Sequence, residues 1–289
     1  MNERSAPPGN IDSRRALVVF AVASLVAVGS GAAALSLSGA PSGSWMRNPV
    51  AWLVGLVLAA GLMLLRNRPT VSRTVLALAV AALAGSFLAP AQQGVHRWID
   101  VGPLHVNVAA LVLPAAVVAL AFCGIGSRIG ASVAAVIAVL LVLQPDASQA
   151  TSFVVAVIIL LARSTAAPTL RFAAIGVALL VAVAAWTRPD PLQPVPEVEG
   201  IFPLALSVSP ALAAVAALAL AATCFAPLVI RATVDSAHRT AALALTGYFV
   251  SAAICPAFGA FPVPLVGLGM SFPVGYWLAI ALLRARNRS

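Results

Sequence analysis

Apolar residues run unbroken through ten stretches of the chain, at about 16–37, 49–65, 73–90, 106–123, 129–144, 150–163, 170–187, 201–230, 240–258 and 267–285, and polar residues gather between them. A bilayer core of roughly 30 Å takes about 20 apolar residues per helical crossing, so each stretch predicts a membrane-spanning helix. A transmembrane barrel is disfavoured, because barrel strands alternate every second residue over about ten positions and these runs do not. Ten crossings absorb about 200 positions, and the connections that remain are too short for a soluble domain. The expected organisation is an all-α, polytopic membrane domain over 16–285 between tails at 1–15 and 286–289. The first run follows Arg14 and Arg15 as a signal peptide would, and Ser38 and Ala40 would suit cleavage. Its length exceeds the roughly 7–15 apolar residues of a signal core, so an uncleaved anchor is expected.

Composition agrees: of 289 residues 62% are hydrophobic and 9% charged, with a mean hydropathy of +1.04. Soluble domains carry about 25% charged residues. A net charge of +9 and a pI near 11.3 would suggest nucleic acid in a soluble chain. In a membrane chain its distribution matters first, and no nucleic-acid partner is expected. All 17 basic residues are Arg. With both termini cytoplasmic and ten crossings, only Arg47, Arg97 and Arg188 fall outside, as retention of positive charge by cytoplasmic loops requires. The same rule decides residues 129–163: a single crossing there would send every later Arg except Arg188 outward, so two short helices meeting at Gln144-Pro145-Asp146 are expected.

Acidic residues sort the other way, with Glu3, Asp12 and Asp235 inside and Asp100, Asp146, Asp190, Glu197 and Glu199 outside. The inner positive excess follows from topology and attraction to anionic membrane lipid. Carboxylates contribute little to orientation, so the outer acids point to chemistry. Cys123, Cys224 and Cys255 lie in or beside apolar runs without C-x-x-C spacing and read as small buried residues.

Three outer segments are polar enough to build a site. The first, from Gly94 to Pro103, holds Arg97, Trp98 and Asp100; taken alone, Trp98 reads as an interfacial anchor and Arg97 as a partner of Asp100 or of lipid phosphate. The second is Gln144-Pro145-Asp146, where Asp146 suits a helix N-cap. The third runs from Arg188-Pro189-Asp190 to Glu197-Val198-Glu199-Gly200, its acids favouring the positive N-terminal end of the next helix. A fourth connection, Cys255 to Ser271, carries Pro256, Pro262, Pro264, Gly259, Gly267 and Gly269 and no charge, which fits either a re-entrant loop or a surface turn. His96 and His105 share one outer loop with Asp100, but their spacing is no known metal-ligand pattern. No zinc motif, phosphate-binding glycine loop, dinucleotide fingerprint or serine elbow is present, so neither cofactor nor metal is expected.

In this order the segments resemble the SEDS family of bacterial cell-wall proteins across residues 70–285. The family's G-x-x-R-W-I-x-x-G is similar to Gly94, Arg97, Trp98, Ile99 and Gly102, and its Q-P-D to Gln144, Pro145 and Asp146. Its P-E-x-H-x-D-F-I-F-A is echoed at Pro196, Glu197, Phe202 and Ala205, and its P-L-P-F-x-S-Y-G-G-S at Pro262, Pro264, Gly269 and Ser271. The resemblance implies a ten-helix protein of the bacterial cytoplasmic membrane, serving peptidoglycan synthesis in cell shape or division. It implies an inverting glycosyltransferase that polymerises lipid II on the outer side beside a class B penicillin-binding protein. Such a transfer needs a carboxylate for the acceptor proton and cations for the departing pyrophosphate. Arg suits the latter because its planar fork meets phosphate bidentately. Substrate contacts are expected at Arg97, Trp98, Asp100, Gln144, Asp146, Arg188 and Ser271.

Departures from the family pattern are as informative. The catalytic Asp before F-I-F-A is Ile201 here, and the P-S-E after R-W-I is Val108, Ala109 and Ala110. The S-Y of the Pro-rich loop is Gly267 and Leu268, and the G-T after Q-P-D is Ser148 and Gln149. Two readings follow. As an enzyme, the chain uses Glu199 as base, or Glu197 as second choice, with a carboxyl pKa raised near the membrane surface. As a scaffold or regulatory subunit, it keeps the fold and binds lipid-linked precursor or a transpeptidase without catalysis. A flippase or small transporter is a third reading, against which no Asp or Glu maps to the middle of a span.

Overall fold

The structure, a computed structural model, describes residues 9–65, 68–102, 104–229 and 235–284. The chain ends, Pro103, and the side chains of Arg4, Arg14, Arg66, Arg68, Arg231, Arg286, Arg288, Glu3 and Asp12 lie outside that description. Helices occupy the apolar runs: α1 (Gly9–Leu37), a single turn α2 (Ser42–Trp45), α3 (Arg47–Leu64), α4 (Arg68–Gly85), α5 (Val108–Cys123) and α6 (Arg128–Leu143). They continue as α7 (Ala147–Ala162), α8 (Pro168–Thr187), α9 (Ile201–Val208), α10 (Pro210–Phe225), α11 (Ser236–Ile254) and α12 (Ser271–Arg284). Six helical segments are long and apolar enough to cross a membrane, and α5, α6, α7 and α12 are shorter apolar helices. Together they mark a multi-pass membrane protein.

Two elements differ from the sequence expectation. The run 201–230 is broken between α9 and α10, because the Ser209 hydroxyl caps the second helix by accepting from the Leu212 amide and Pro210 starts it. The loop after Arg97 folds as a hairpin, β1 (Trp98–Val101) against β2 (Leu104–Asn107), so Val106 and Asn107 belong to a strand rather than to the following helix. Gly102 turns the hairpin at φ +60°, a conformation that costs glycine nothing. Residues 129–163 do form two helices, separated at Gln144–Asp146.

Small residues let helices approach closely, as packing within a membrane favours. A Cβ on Gly275 of α12 would stand 2.4 Å from the Ala110 carbonyl oxygen of α5. Between the helices an aromatic core forms: Trp277 meets Phe20 and Trp52 edge-on at 5.0 and 5.2 Å, and Tyr276 stacks on Phe249. Outward faces stay apolar, with Val57, Leu180 and Leu218 exposed, as lipid contact permits. Helix α8 buries only Ala178 and Ala185. The uncharged Pro-rich segment 258–270 folds back against the bundle with Val263, Leu265 and Val266 buried, so it is not a surface turn.

Candidate functional site

Arg97 sits at the start of the hairpin and is 4% exposed. Its position is fixed by backbone: the Val108 amide donates to the Arg97 carbonyl at 3.0 Å, tying the residue to the start of α5. The guanidinium reaches three acceptors from two other connections. Nη2 donates to the Pro145 carbonyl and to Asp190 Oδ2, the latter at 2.6 Å, and Nε lies 3.7 Å from Asp146 Oδ2. The expected pairing of Arg97 with Asp100 is thus replaced, because the hairpin turns the Asp100 side chain away toward His105. Trp98 lies beside the guanidinium, whose carbon is 5.9 Å from the ring centroid, and is half-buried rather than standing free as an interfacial anchor.

Asp146 has two tasks. One oxygen accepts from the Gln149 amide at 3.1 Å and caps α7, as the sequence suggested; the other faces Arg97. Gln144 beside it is fully buried and donates to Ser86 Oγ (2.6 Å) and the Leu83 carbonyl, bracing the break between α6 and α7 against α4.

Segment 195–200 places Glu199. Its Oε2 accepts from the Val195 amide at 2.7 Å, closing a local turn. The Pro-rich loop grips this segment from the other side: the Leu268 amide donates to the Glu197 carbonyl (2.8 Å) and the Val263 amide to the Val198 carbonyl (3.3 Å). A Cβ on Gly267 would lie 2.2 Å from the Val198 oxygen, so this approach requires glycine. Asn48 of α3 holds the loop in turn, donating to the Leu265 and Gly267 carbonyls at 3.1 and 2.7 Å and accepting from the Gly269 amide at 2.9 Å. Burial pushes the Glu199 carboxyl above the ordinary Glu range; the Val195 amide and Arg97 oppose the shift without cancelling it.

These pieces enclose two adjoining chambers that share Trp98, Asn107, Leu192, Gln193, Glu199, Pro262 and Phe272 in their walls. The inner one, of about 30 Å³, is also lined by Arg97, Asp146, Ser148 and Gln149; the outer one, of about 290 Å³, by Arg47, Gln92, His105 and Ser271. Arg97 Nε has no hydrogen-bond partner among the described residues and lies 3.7 Å from Asp146 Oδ2, a buried donor short of an acceptor in a side chain that lines the inner chamber. One guanidinium and one half-buried carboxyl thus line a common space, an arrangement able to hold an anionic group and move a proton beside it.

Of the residues singled out in the sequence, Arg97, Trp98, Asp146, Glu199 and Ser271 meet in these walls. Gln144, Asp100, Glu197 and Arg188 are absent from the linings; Arg188 ends α8 with its side chain exposed. Asp190, named only as an outer acid, reaches Arg97 directly. Asn48, Gln92, Asn107 and Gln193 carried no motif. Asn107, inside the apolar run expected at 106–123, caps α5 in the structure, its Oδ1 accepting from the Ala110 amide. Family position Ile201 is fully buried at the start of α9.

The fold is a polytopic helical bundle with a pit between its connections. The chain shares this fold with the rod shape determining protein RodA of Thermus thermophilus. To a crystal structure of that protein it is 19% identical with TM-score 0.64, covering 93% of this chain and 97% of the other. A RodA variant gives 0.65 at 19% identity, covering 93% and 98%. A structure described as a peptidoglycan synthase complex that coordinates polymerization and crosslinking gives 0.60 at 20%, covering 90% and 95%. No family model matches the sequence, and no curated protein matches it.

Proposed function

We propose that this protein acts in peptidoglycan synthesis at the outer face of the bacterial inner membrane, as a ten-crossing polymerase of lipid II with both termini cytoplasmic. The observation that carries the reading is Arg97: a guanidinium 4% exposed that lines a small chamber together with the half-buried Glu199 carboxyl. A pyrophosphate leaving group needs such a fork, and its departure needs charge stabilisation in a site shielded from water. Asp190 is the more exposed of the two carboxylate partners, its side chain 25% exposed against 4% for Asp146, so an incoming phosphate displaces Asp190 first. Glu199 is the catalytic carboxyl in place of the family Asp. Glu197, whose carbonyl is engaged by the Leu268 amide, stands behind it. Trp98 and Ser271 line the same space and contact substrate. An apolar groove of about 420 Å³ between α6, α7 and α8 suits the hydrocarbon tail. A class B penicillin-binding protein is the proposed partner, in keeping with the synthase complex that shares the fold.

Crosslinking of photoreactive lipid II tests the site. Wild type should be labelled, and Arg97→Ala and Trp98→Ala should each lose most of the label. Unchanged labelling of both variants refutes the placement. A second reading, a non-catalytic SEDS-like subunit that binds the same precursor, is favoured by Ile201, an apolar and fully buried residue where the family carries its Asp. Lipid II labelling without any glycan product would select it.

A further inference from the structure

The outer chamber contains a second proton-handling group. Asp100 and His105 face each other across the hairpin, and His105 Nδ1 bonds Asp100 Oδ1. On the other side of the ring the Gln92 amide nitrogen lies 2.8 Å from His105 Nε2. With the Gln92 amide nitrogen donating to Nε2, the imidazole carries its proton on Nδ1, toward Asp100, and presents the Nε2 lone pair to the amide. Trp98 holds the ring in place, stacked at 5.2 Å between centroids and 17° between planes. Both Gln92 and His105 line the outer chamber, together with Arg47 and Glu199 as its charged groups. A carboxylate that orients an imidazole, whose second nitrogen is held by one neutral amide at the wall of the outer chamber, has the geometry of a general base.

Resting on the polymerase reading, we propose that His105, oriented by Asp100, takes up the proton of the acceptor hydroxyl in the chamber it shares with Glu199. The acceptor oxygen gives its proton to Nε2 and forms the bond to the anomeric carbon. The bond from that carbon to the pyrophosphate breaks, and the departing oxygen leaves as an anion that Arg97 stabilises. The proton on His105 passes to water from the imidazole, 39% exposed, which closes the cycle with no net change in the protein. Gln92 occupies Nε2 until the acceptor arrives, so the acceptor hydroxyl takes the place of an amide N–H.

The test is lipid II polymerisation by the purified full-length protein beside an active family member, with wild type, Glu199→Gln, His105→Ala, His105→Gln and Asp100→Asn. Expected is a glycan product from wild type and loss of about a hundredfold or more in both His105 variants, the usual range for a general base. Added imidazole should restore His105→Ala in proportion to its concentration, which repair of a merely structural role would not do. Asp100→Asn should lose less than His105→Ala. A wild type that is active and sensitive to Glu199→Gln, with His105→Ala at full rate or reduced but not rescued, overturns the assignment of His105 alone. A blank wild type beside a working control overturns the polymerase reading and this assignment with it.

Discussion

Removing the Arg97 charge is expected to destabilise the fold strongly, because its partners cannot all reach water. Arg97 and Asp146 side chains are both 4% exposed, with 3.7 Å between Nε and Oδ2. At that separation two unit charges attract by about 4 kcal/mol in a medium of effective dielectric about 20. Loss of one partner from a buried pair costs about 3–5 kcal/mol, since the survivor remains desolvated and unpaired. Arg97→Met also leaves the Pro145 carbonyl without its donor. A chain of this size shifts its Tm by roughly 2–4 °C per kcal/mol, so Arg97→Met should melt roughly 6–20 °C lower in detergent, read by tryptophan fluorescence. Adding Asp146→Asn removes the stranded charge and should recover about 1–3 kcal/mol of that loss. Asp190→Asn alone, on a partner a quarter exposed, should cost about 1 kcal/mol or less. Arg97→Met melting with wild type, or a double variant weaker than the sum of the singles, refutes a buried Arg97–Asp146 pair.

Other outcomes follow from the same geometry. Asp190→Asn should raise lipid II labelling two- to fivefold, because release of a partly exposed ion pair contributes about 0.5–1 kcal/mol to phosphate access; weaker labelling contradicts displacement. Glu199 has its folded pKa raised, so the folded protein favours the protonated form and loses stability as pH climbs from the ordinary Glu range through the raised value. Glu199→Gln should flatten that decline, and a melting profile against pH identical to wild type contradicts the burial. Asn48→Ala removes three hydrogen bonds from a side chain 2% exposed and should cost about 2–4 kcal/mol in melting experiments. A Cys placed at Asp190 should react with a membrane-impermeant thiol reagent in intact cells; failure to label contradicts the outward orientation.

The helical frame was legible because apolar run length is a direct consequence of bilayer thickness, and α3 and α8 start and stop close to the expected limits. The break at Gln144–Asp146 was legible through arginine placement and the capping Asp. Strand pairing at 98–107 was not, since four residues a side sit between a polar loop and an apolar helix and show no long alternation. Motif order brought Arg97, Trp98, Asp146 and Glu199 to one region of sequence space, and folding joins them in one pit. Sequence spacing does not say which way a loop side chain turns. Asp100 therefore looked like the partner of Arg97, while Asp190, 93 positions away, is the one that reaches it. Asn48 was silent for a similar reason: its bonds to residues 265–269 exist only once α3 packs beside the Pro-rich loop.

The most direct measurement is polymerisation of labelled lipid II by the purified, detergent-solubilised protein, with Arg97→Ala and Glu199→Gln alongside and an active family member as control. The expected result is a glycan ladder from wild type that each substitution abolishes. A blank wild-type lane beside a working control, or a ladder that survives both substitutions, contradicts a polymerase built on Arg97 and Glu199.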